Sequence, residues 1–328
     1  MSSPRVIDPR QTAVLCGAFL LVLALAILSV GIGAEDFRFL DVLSEHHSLQ
    51  LLLDSRVPRT LAVTLSGVSL AIAGLLMQVI VRNRFTEPAT TGTTEAAMLG
   101  ALVLTIVAPG AQPIIKMMLA GVFALAGSAM YLALLRRAPV QNTYLAPLIG
   151  LVFGGVIHSI ATFLAYRYGL VQSLFAWSAG DFSVILRGRY ELLWIGFALA
   201  VLAFVLADRY TVVGMGRAYA TNLGLSYGRL RILGLMVISG ISAVTVVTAG
   251  NIPFLGLVVP NLVRLACGDN LRKTIPWVAL SGGAFALICD ITGRVVIYPF
   301  EIPVGTIIGV VGSVLLLMII RVKGAHVE

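Results

Sequence analysis

Unbroken apolar runs of about twenty residues recur along this chain, and their length decides its fold class before any other feature is weighed. An α-helix satisfies its own backbone hydrogen bonds, so such a run can cross hydrocarbon as a helix. A transmembrane barrel would show short alternating segments instead. Ten spans are read, at approximately 12–33, 58–81, 92–110, 113–135, 143–165, 191–207, 231–250, 252–267, 275–293 and 304–320. The third and eighth are short or rich in Gly and Pro. Composition agrees: 12% of residues are charged, where a soluble domain carries about 25%. The expected fold is an all-α integral membrane protein of about ten transmembrane helices, forming a single domain over residues 1–328 and embedded in the lipid bilayer.

Charge sets the orientation. Fifteen of the 23 Lys and Arg residues fall on one side of these spans, Arg82, Arg84, Arg136, Arg137, Arg217 and Arg264 among them, and eight on the other. By the positive-inside rule the richer side is cytoplasmic, and an even span count puts both termini there. The first run, preceded by Arg5 and Arg10, is too long for a signal-peptide core and is expected to be retained. The formal charge of +8 does not point to nucleic acid, because the arginines sit in short loops between apolar runs, with no aromatic–basic interleaving. On the poorer side Arg56 and Arg59 flank Pro58, and Arg294 ends the ninth span. Anchoring to lipid phosphate is one explanation, and a basic surface receiving an acidic soluble partner is the other.

Small residues inside the spans, Gly67 with Gly74 and Gly305 with Gly309 and Gly312, permit close helix approach. Residues 166–191 form a loop expected to hold a short interfacial helix with Trp177 and Tyr190 as belt residues. Cys16, Cys267 and Cys289 are odd in number and read as packing residues. Adjacent His46 and His47 point different ways on any regular element, so no metal site is expected.

The longest polar interruption in the second half is Asp208–Arg231. Its centre, Arg217 to Leu225, has the composition of one or two short helices, with Gly224 placed to end a turn. No nucleotide-binding loop exists, since none of Lys116, Lys273 and Lys323 follows a glycine. Hydrolytic motifs are absent as well, so an enzyme is not expected. Ionisable residues within spans are functional suspects by default. Here they are Glu95, the Asp290–Arg294 pair one helical turn apart, and His158, which reads as a structural histidine more readily than as a relay. An ion-gradient-driven secondary transporter would use such groups, and it stands as the alternative.

Three segments carry a resemblance. Arg56–Gly92 (RVPRTLAVTLSGVSLAIAGLLMQVIVRNRFTEPATTG), Gly250–Arg264 (GNIPFLGLVVPNLVR) and Pro299–Gly312 (PFEIPVGTIIGVVG) resemble, in order and spacing, the motifs of FecCD-type permeases. These are membrane subunits of type II ABC importers for iron–siderophores, haem and cobalamin. The resemblance runs over essentially the whole chain. It implies ten helices and a dimer with a second permease, identical or homologous, with the substrate path along the dimer interface. It further implies two separate ATPase subunits that carry the ATP, an outer substrate-binding protein, an Fe(III)-siderophore as cargo, haem or cobalamin being the alternatives, and a bacterial cytoplasmic (inner) membrane. No cofactor would be bound by this chain.

Residue by residue, the resemblance implies that Arg56, Arg59 and Arg294 dock the binding protein. It places the ATPase-coupling element at Met215–Arg229, with Arg217, Ala220, Leu223, Gly224 and Arg229 on it. The inner gate falls at Asn83 and Phe85 and at Asn142 and Thr143. Arg84 and Phe85 stand where the family commonly has Pro-Leu, Arg217 where an acid is common, and Asn261 where His is usual. The run TTGTTEAA with Glu95 replaces a Gly- and Ser-rich turn, as in members similar to those serving catecholate or mixed siderophores.

Overall fold

Helices account for nearly all of the ordered backbone in the computed structural model, which describes residues 9–33, 46–137 and 144–324. In chain order they are α1 (Pro9–Gly31), α2 (His46–Leu51) with a π-helical turn Leu52–Arg56, α3 (Val57–Val81), α4 (Thr93–Val107), α5 (Pro113–Arg137), α6 (Leu145–Arg167) and α7 (Val171–Ala179). Then follow α8 (Leu193–Val205), α9 (Ala207–Met215), α10 (Arg217–Asn222), α11 (Tyr227–Thr248), α12 (Leu255–Cys267), α13 (Leu271–Val295) and α14 (Val304–Gly324). No strand occurs among the described residues.

Among the described residues six helices are long and apolar enough to cross a membrane, and a seventh is counted if α8 and α9, bent by 65° at their junction, are one span. Three shorter apolar helices, within α4, α12 and α14, supply the remaining expected positions. The bend explains why the sixth span was expected to stop near residue 207: the chain turns polar at Asp208, yet the helical backbone resumes at once and runs obliquely to Met215.

The bundle is built around α3, which is buried along almost its whole length between α13, α12, α8 and α11. Lipid tails are as apolar as leucine, so burial alone does not draw helices together. Close van der Waals approach must, and small residues allow it. A Cβ added at Gly74 would lie 1.9 Å from the Gly256 carbonyl oxygen of α12. One at Gly67 would lie 2.6 Å from the Gly282 carbonyl oxygen of α13. The same logic orders the periphery. On α6 the stripe Ala146, Gly150, Phe153, Gly154, Ile157, Ala161 and Ala165 faces inward, while Leu151, Val156 and Phe163 face out. Helix α1 is almost wholly exposed along its apolar length, as a lipid-facing helix should be.

Where the backbone leaves helical form between α3 and α4, hydroxyls replace the missing partners. Thr91 Oγ1 donates to the Glu87 carbonyl at 3.0 Å and shares a hydrogen bond with Thr93 Oγ1, which in turn bonds Ser128 Oγ of α5 at 2.7 Å. Buried Glu87 accepts the Phe254 N–H at 2.8 Å, placing a carboxylate at the start of α12. The threonine-rich run thus ties two irregular segments inside the bundle, which irregular backbone at membrane depth requires.

Replacing Gly74 with Leu is expected to force α3 and α12 apart at a cost of about 1–3 kcal/mol or more, read as a lower melting temperature in detergent. Gly155→Ala on α6, where an added Cβ meets nothing within 4 Å, is expected to leave melting unchanged. Equal melting temperatures would contradict the close approach.

Candidate functional site

Two clusters of polar residues mark the ends of the bundle, and a short exposed helix hangs from one of them. At the end where α3 begins, Asp290 of α13 is fully buried. Arg59 reaches its Oδ1 at 2.9 Å, and Arg294, one turn further along α13, reaches its Oδ2. Arg59 also binds Glu301 at 2.7 Å, ahead of α14. Further donors of the cluster go to the end of α1, whose last carbonyls have no partner within the helix. Arg294 donates to Ser29 O at 2.9 Å and Ile32 O at 2.6 Å, and Arg56 to Val30 O at 3.1 Å and Gly31 O at 3.3 Å. Positive charge at a helix C-terminus also suits its dipole.

The three arginines expected at a docking face are therefore brought together, but into the interior. Arg56 and Arg294 are 7% and 5% exposed. Only the Arg59–Glu301 pair reaches outward, with 12% and 25% of the side chains exposed. What this end displays is the 187–189 loop: Arg187 and Arg189 are exposed, and Arg187 lies beside Asp54 through a backbone hydrogen bond of 3.0 Å and an ion pair of 3.7 Å.

At the opposite end, α3 closes at Arg82, and its loop meets α12. Asp269 receives Arg84 at 2.8 Å and Arg264 Nε at 2.7 Å. Arg264 extends to Gln78 Oε1 at 3.2 Å, and Asn261 donates to the Arg84 carbonyl at 2.7 Å. Partial burial alone would raise the Asp269 carboxyl, but the hydrogen bond and charge of Arg264, with the charge of Arg84, hold it below the ordinary carboxylate range. Within this frame Asn83 is buried and its Oδ1 accepts the Phe85 N–H at 2.8 Å, fixing the turn. The Phe85 ring stacks on Tyr144 with centroids 5.9 Å apart. The other two expected gate residues, Asn142 and Thr143, lie outside the described residues.

Beside this cluster α9 ends at Gly216, with φ +115°, and α10 carries Arg217 to Asn222. Gly224, with φ +75°, closes the turn as its residue type foretold, and Leu225 N–H bonds the Ala220 carbonyl at 2.9 Å. Ala220 itself is fully buried and faces the chain's own helices. The displayed side chains are Met215, Tyr219 and Leu223, spaced four apart and 58–65% exposed, flanked by exposed Arg217 and Arg229. Sequence reasoning took Met215 as the edge of this element and did not single out Tyr219.

Of the remaining suspects, His158 sits exposed on the outward face of α6, not in a hydrogen-bonded interior. Glu95 is half-buried on α4, and its enclosed Oε2 has no hydrogen-bond partner. No cluster of three or more metal-ligating side chains occurs among the described residues.

Comparison with known proteins gives a consistent answer. The profile of the FecCD transport family matches residues 20–322. A petrobactin import system permease of Bacillus subtilis is 43% identical over 93% of this chain and 97% of its own length. A ferric-anguibactin transport system permease of Vibrio anguillarum is 42% identical over 91% and 94%. A vitamin B12 import permease of Serratia proteamaculans is 30% identical over 82% and 81%. Among solved structures, an inward-facing transporter described as metal-chelate type superposes with a TM-score of 0.81 at 22% identity, covering 94% of this chain and 99% of that one. That likeness carries the fold.

Asp290→Asn would leave buried Arg294 without its charge partner and Arg59 with Glu301 alone, and is expected to destabilise the protein by about 3–5 kcal/mol. Arg187→Ala, which breaks an exposed pair, should cost less than about 1 kcal/mol. Thermal unfolding in detergent compares them, and a silent Asp290→Asn would contradict the buried node. Because the folded carboxyl of Asp269 titrates low, its contribution is complete above the ordinary carboxylate range and is lost as pH falls through the folded value. The melting difference between wild type and Asp269→Asn should accordingly be full at pH 7 and vanish in strong acid. A difference that persists there would contradict the pairing.

Proposed function

This chain belongs to the FecCD transport family, and we propose that it is the membrane-spanning permease of an ATP-driven importer that carries an Fe(III)-siderophore into the cell. The observation that carries the proposal is end-to-end identity of 42–43% with permeases named for petrobactin and ferric-anguibactin import. The vitamin B12 permease is the more distant relative, which favours the iron chelate over cobalamin.

The parts take roles from their placement. The chain has no nucleotide-binding loop, so the motor is a pair of separate ATPase subunits, and ATP binds there and not here. They grip the end of the bundle bearing α10, which we place in the cytosol together with both termini, as the loop charges favour. Because Ala220 is buried, the grip falls on the stripe Met215, Tyr219 and Leu223, with Arg217 and Arg229 at its edges and Gly224 fixing its end. Motion of α10 passes through α9 to the Gly216–Arg82 contact and so to Asn83 and Phe85. Phe85 stacked on Tyr144 narrows the inner gate, and Asn142 and Thr143 precede Tyr144 in the chain. Two permeases, alike or homologous, enclose the path.

At the outer end a binding protein delivers the chelate. Its acidic groups meet Arg59 at the rim and the exposed Arg187 and Arg189. Buried Arg56 and Arg294 hold the rim in shape by fastening α1 to the start of α3 and to α13. The permease moves its cargo without making or breaking bonds.

One observation favours an ion-driven carrier as the second possibility: the buried, unpartnered Oε2 of Glu95. Reconstituted vesicles decide between them. Uptake of ferric petrobactin is expected to require the ATPase subunits, ATP and the binding protein, and to survive Glu95→Gln. Leu223→Asp is expected to reduce ATP-driven uptake at least tenfold while leaving membrane insertion intact. Uptake on a proton gradient alone, lost with Glu95→Gln, would replace the proposal with the carrier.

A further inference from the structure

A cavity of about 740 Å³ opens between α5, α11 and the start of α10. Its lining is divided by chemistry. Arg136 from the last turn of α5, Arg217 from α10, and Tyr227 and Arg231 from the first turns of α11 form one end. The wall above them is apolar, made chiefly of Leu132, Ala133, Ile232 and Leu235, one and two turns deeper along the same two helices.

Three arginines meet here with no carboxylate among the described residues of the lining. Residues 138–143, which follow α5, contain no Asp or Glu either. Asp208, which follows α8, pairs with Arg272 instead. Arg231 is half-buried, and its Nε is enclosed with no hydrogen-bond partner. A buried donor left unmet is costly, and several like charges facing one cavity repel each other. Both costs are relieved by one ligand: an anion offering several acceptor oxygens. Phosphate suits the guanidinium fork best. The apolar wall narrows the choice further, because it continues from the charged end along the apolar lengths of α5 and α11.

We propose that this cavity binds an anionic phospholipid from the leaflet that α10 faces. Its phosphate sits among Arg136, Arg217, Tyr227 and Arg231, and one acyl chain lies along the groove between α5 and α11. Basic pockets between membrane helices on the positively charged side are suited to such headgroups. Since Arg217 opens α10, the bound lipid also braces the exposed stripe against α5 and α11.

The test is native mass spectrometry of the full chain in detergent. It is titrated with phosphatidylglycerol and, in parallel, with phosphatidylcholine bearing the same acyl chains. Wild type is expected to retain one phosphatidylglycerol per chain and to discriminate against phosphatidylcholine. Arg136→Gln with Arg231→Gln is expected to lose about tenfold or more of that retention, at roughly one decade or less for each surface charge. Arg136→Lys with Arg231→Lys is expected to keep most of it. The comparison of the two lipids on wild type stands even if the glutamine variant does not fold. Equal retention of the two lipids, or an unchanged glutamine variant, would overturn the proposal. So would inorganic phosphate raising the melting temperature as much as phosphatidylglycerol, since a free anion would then suffice. Displacement of the lipid by added ATPase subunits would overturn it too, by assigning the arginines to a protein partner.

Discussion

Hydrocarbon offers no hydrogen bonds and no counterions, so a polar group carried into the bilayer is costly unless it finds a partner within the chain. That constraint accounts for most of what is distinctive here. The carbonyls at the end of α1 are met by Arg56 and Arg294, and the charge of Arg294 is balanced in turn by Asp290. The irregular link between α3 and α4 is held by threonine hydroxyls and by Glu87. Helices with nothing to exchange but van der Waals contact approach through glycine, as α3 does at Gly67 and Gly74. Bulky residues are left for the lipid-facing sides of α1 and α6.

A conduit built this way is stiff where it is knotted and open to force only where it leaves the bilayer. The Arg59–Asp290–Arg294 node ties α3 to α13 at one end, and Arg84–Asp269–Arg264 ties the α3–α4 loop to the end of α12 at the other. Between them runs α3, so a displacement at one end reaches the other through a single rigid element. The exposed α10, joined through α9 and the 65° bend to α8, is the part a soluble motor can hold. On the proposed function the energy for transport comes from separate ATPase subunits, and the permease contributes geometry.

Much of this was legible in the sequence. Apolar run length placed Val57–Val81, Pro113–Arg137 and Leu271–Val295 within a few residues of their observed ends. Gly224 announced the end of the short helix, and the four-residue spacing of Asp290 and Arg294 announced their pairing. What was not legible depended on distant chain. An arginine near a span boundary looks available until the carbonyls of α1, more than 260 residues away from Arg294, are seen to take its donors. Ala220 sits on a short, largely exposed helix, yet its neighbours bury it, and the displayed side chains are Tyr219 and Leu223. His158 fell on the outward face of α6 because the inward stripe of that helix is set by small residues, a pattern that hydropathy does not weigh.

The sidedness of the α10 stripe tests the central claim most directly. In a variant with Cys16, Cys267 and Cys289 replaced by Ser, Leu223→Cys would be exposed to a membrane-impermeant maleimide in sealed vesicles of each orientation. Labelling is predicted in inside-out vesicles and not in right-side-out ones, with protection when the ATPase subunits are bound. Labelling from the outside, or labelling indifferent to the ATPase, would contradict a conduit driven from the cytosol through this segment.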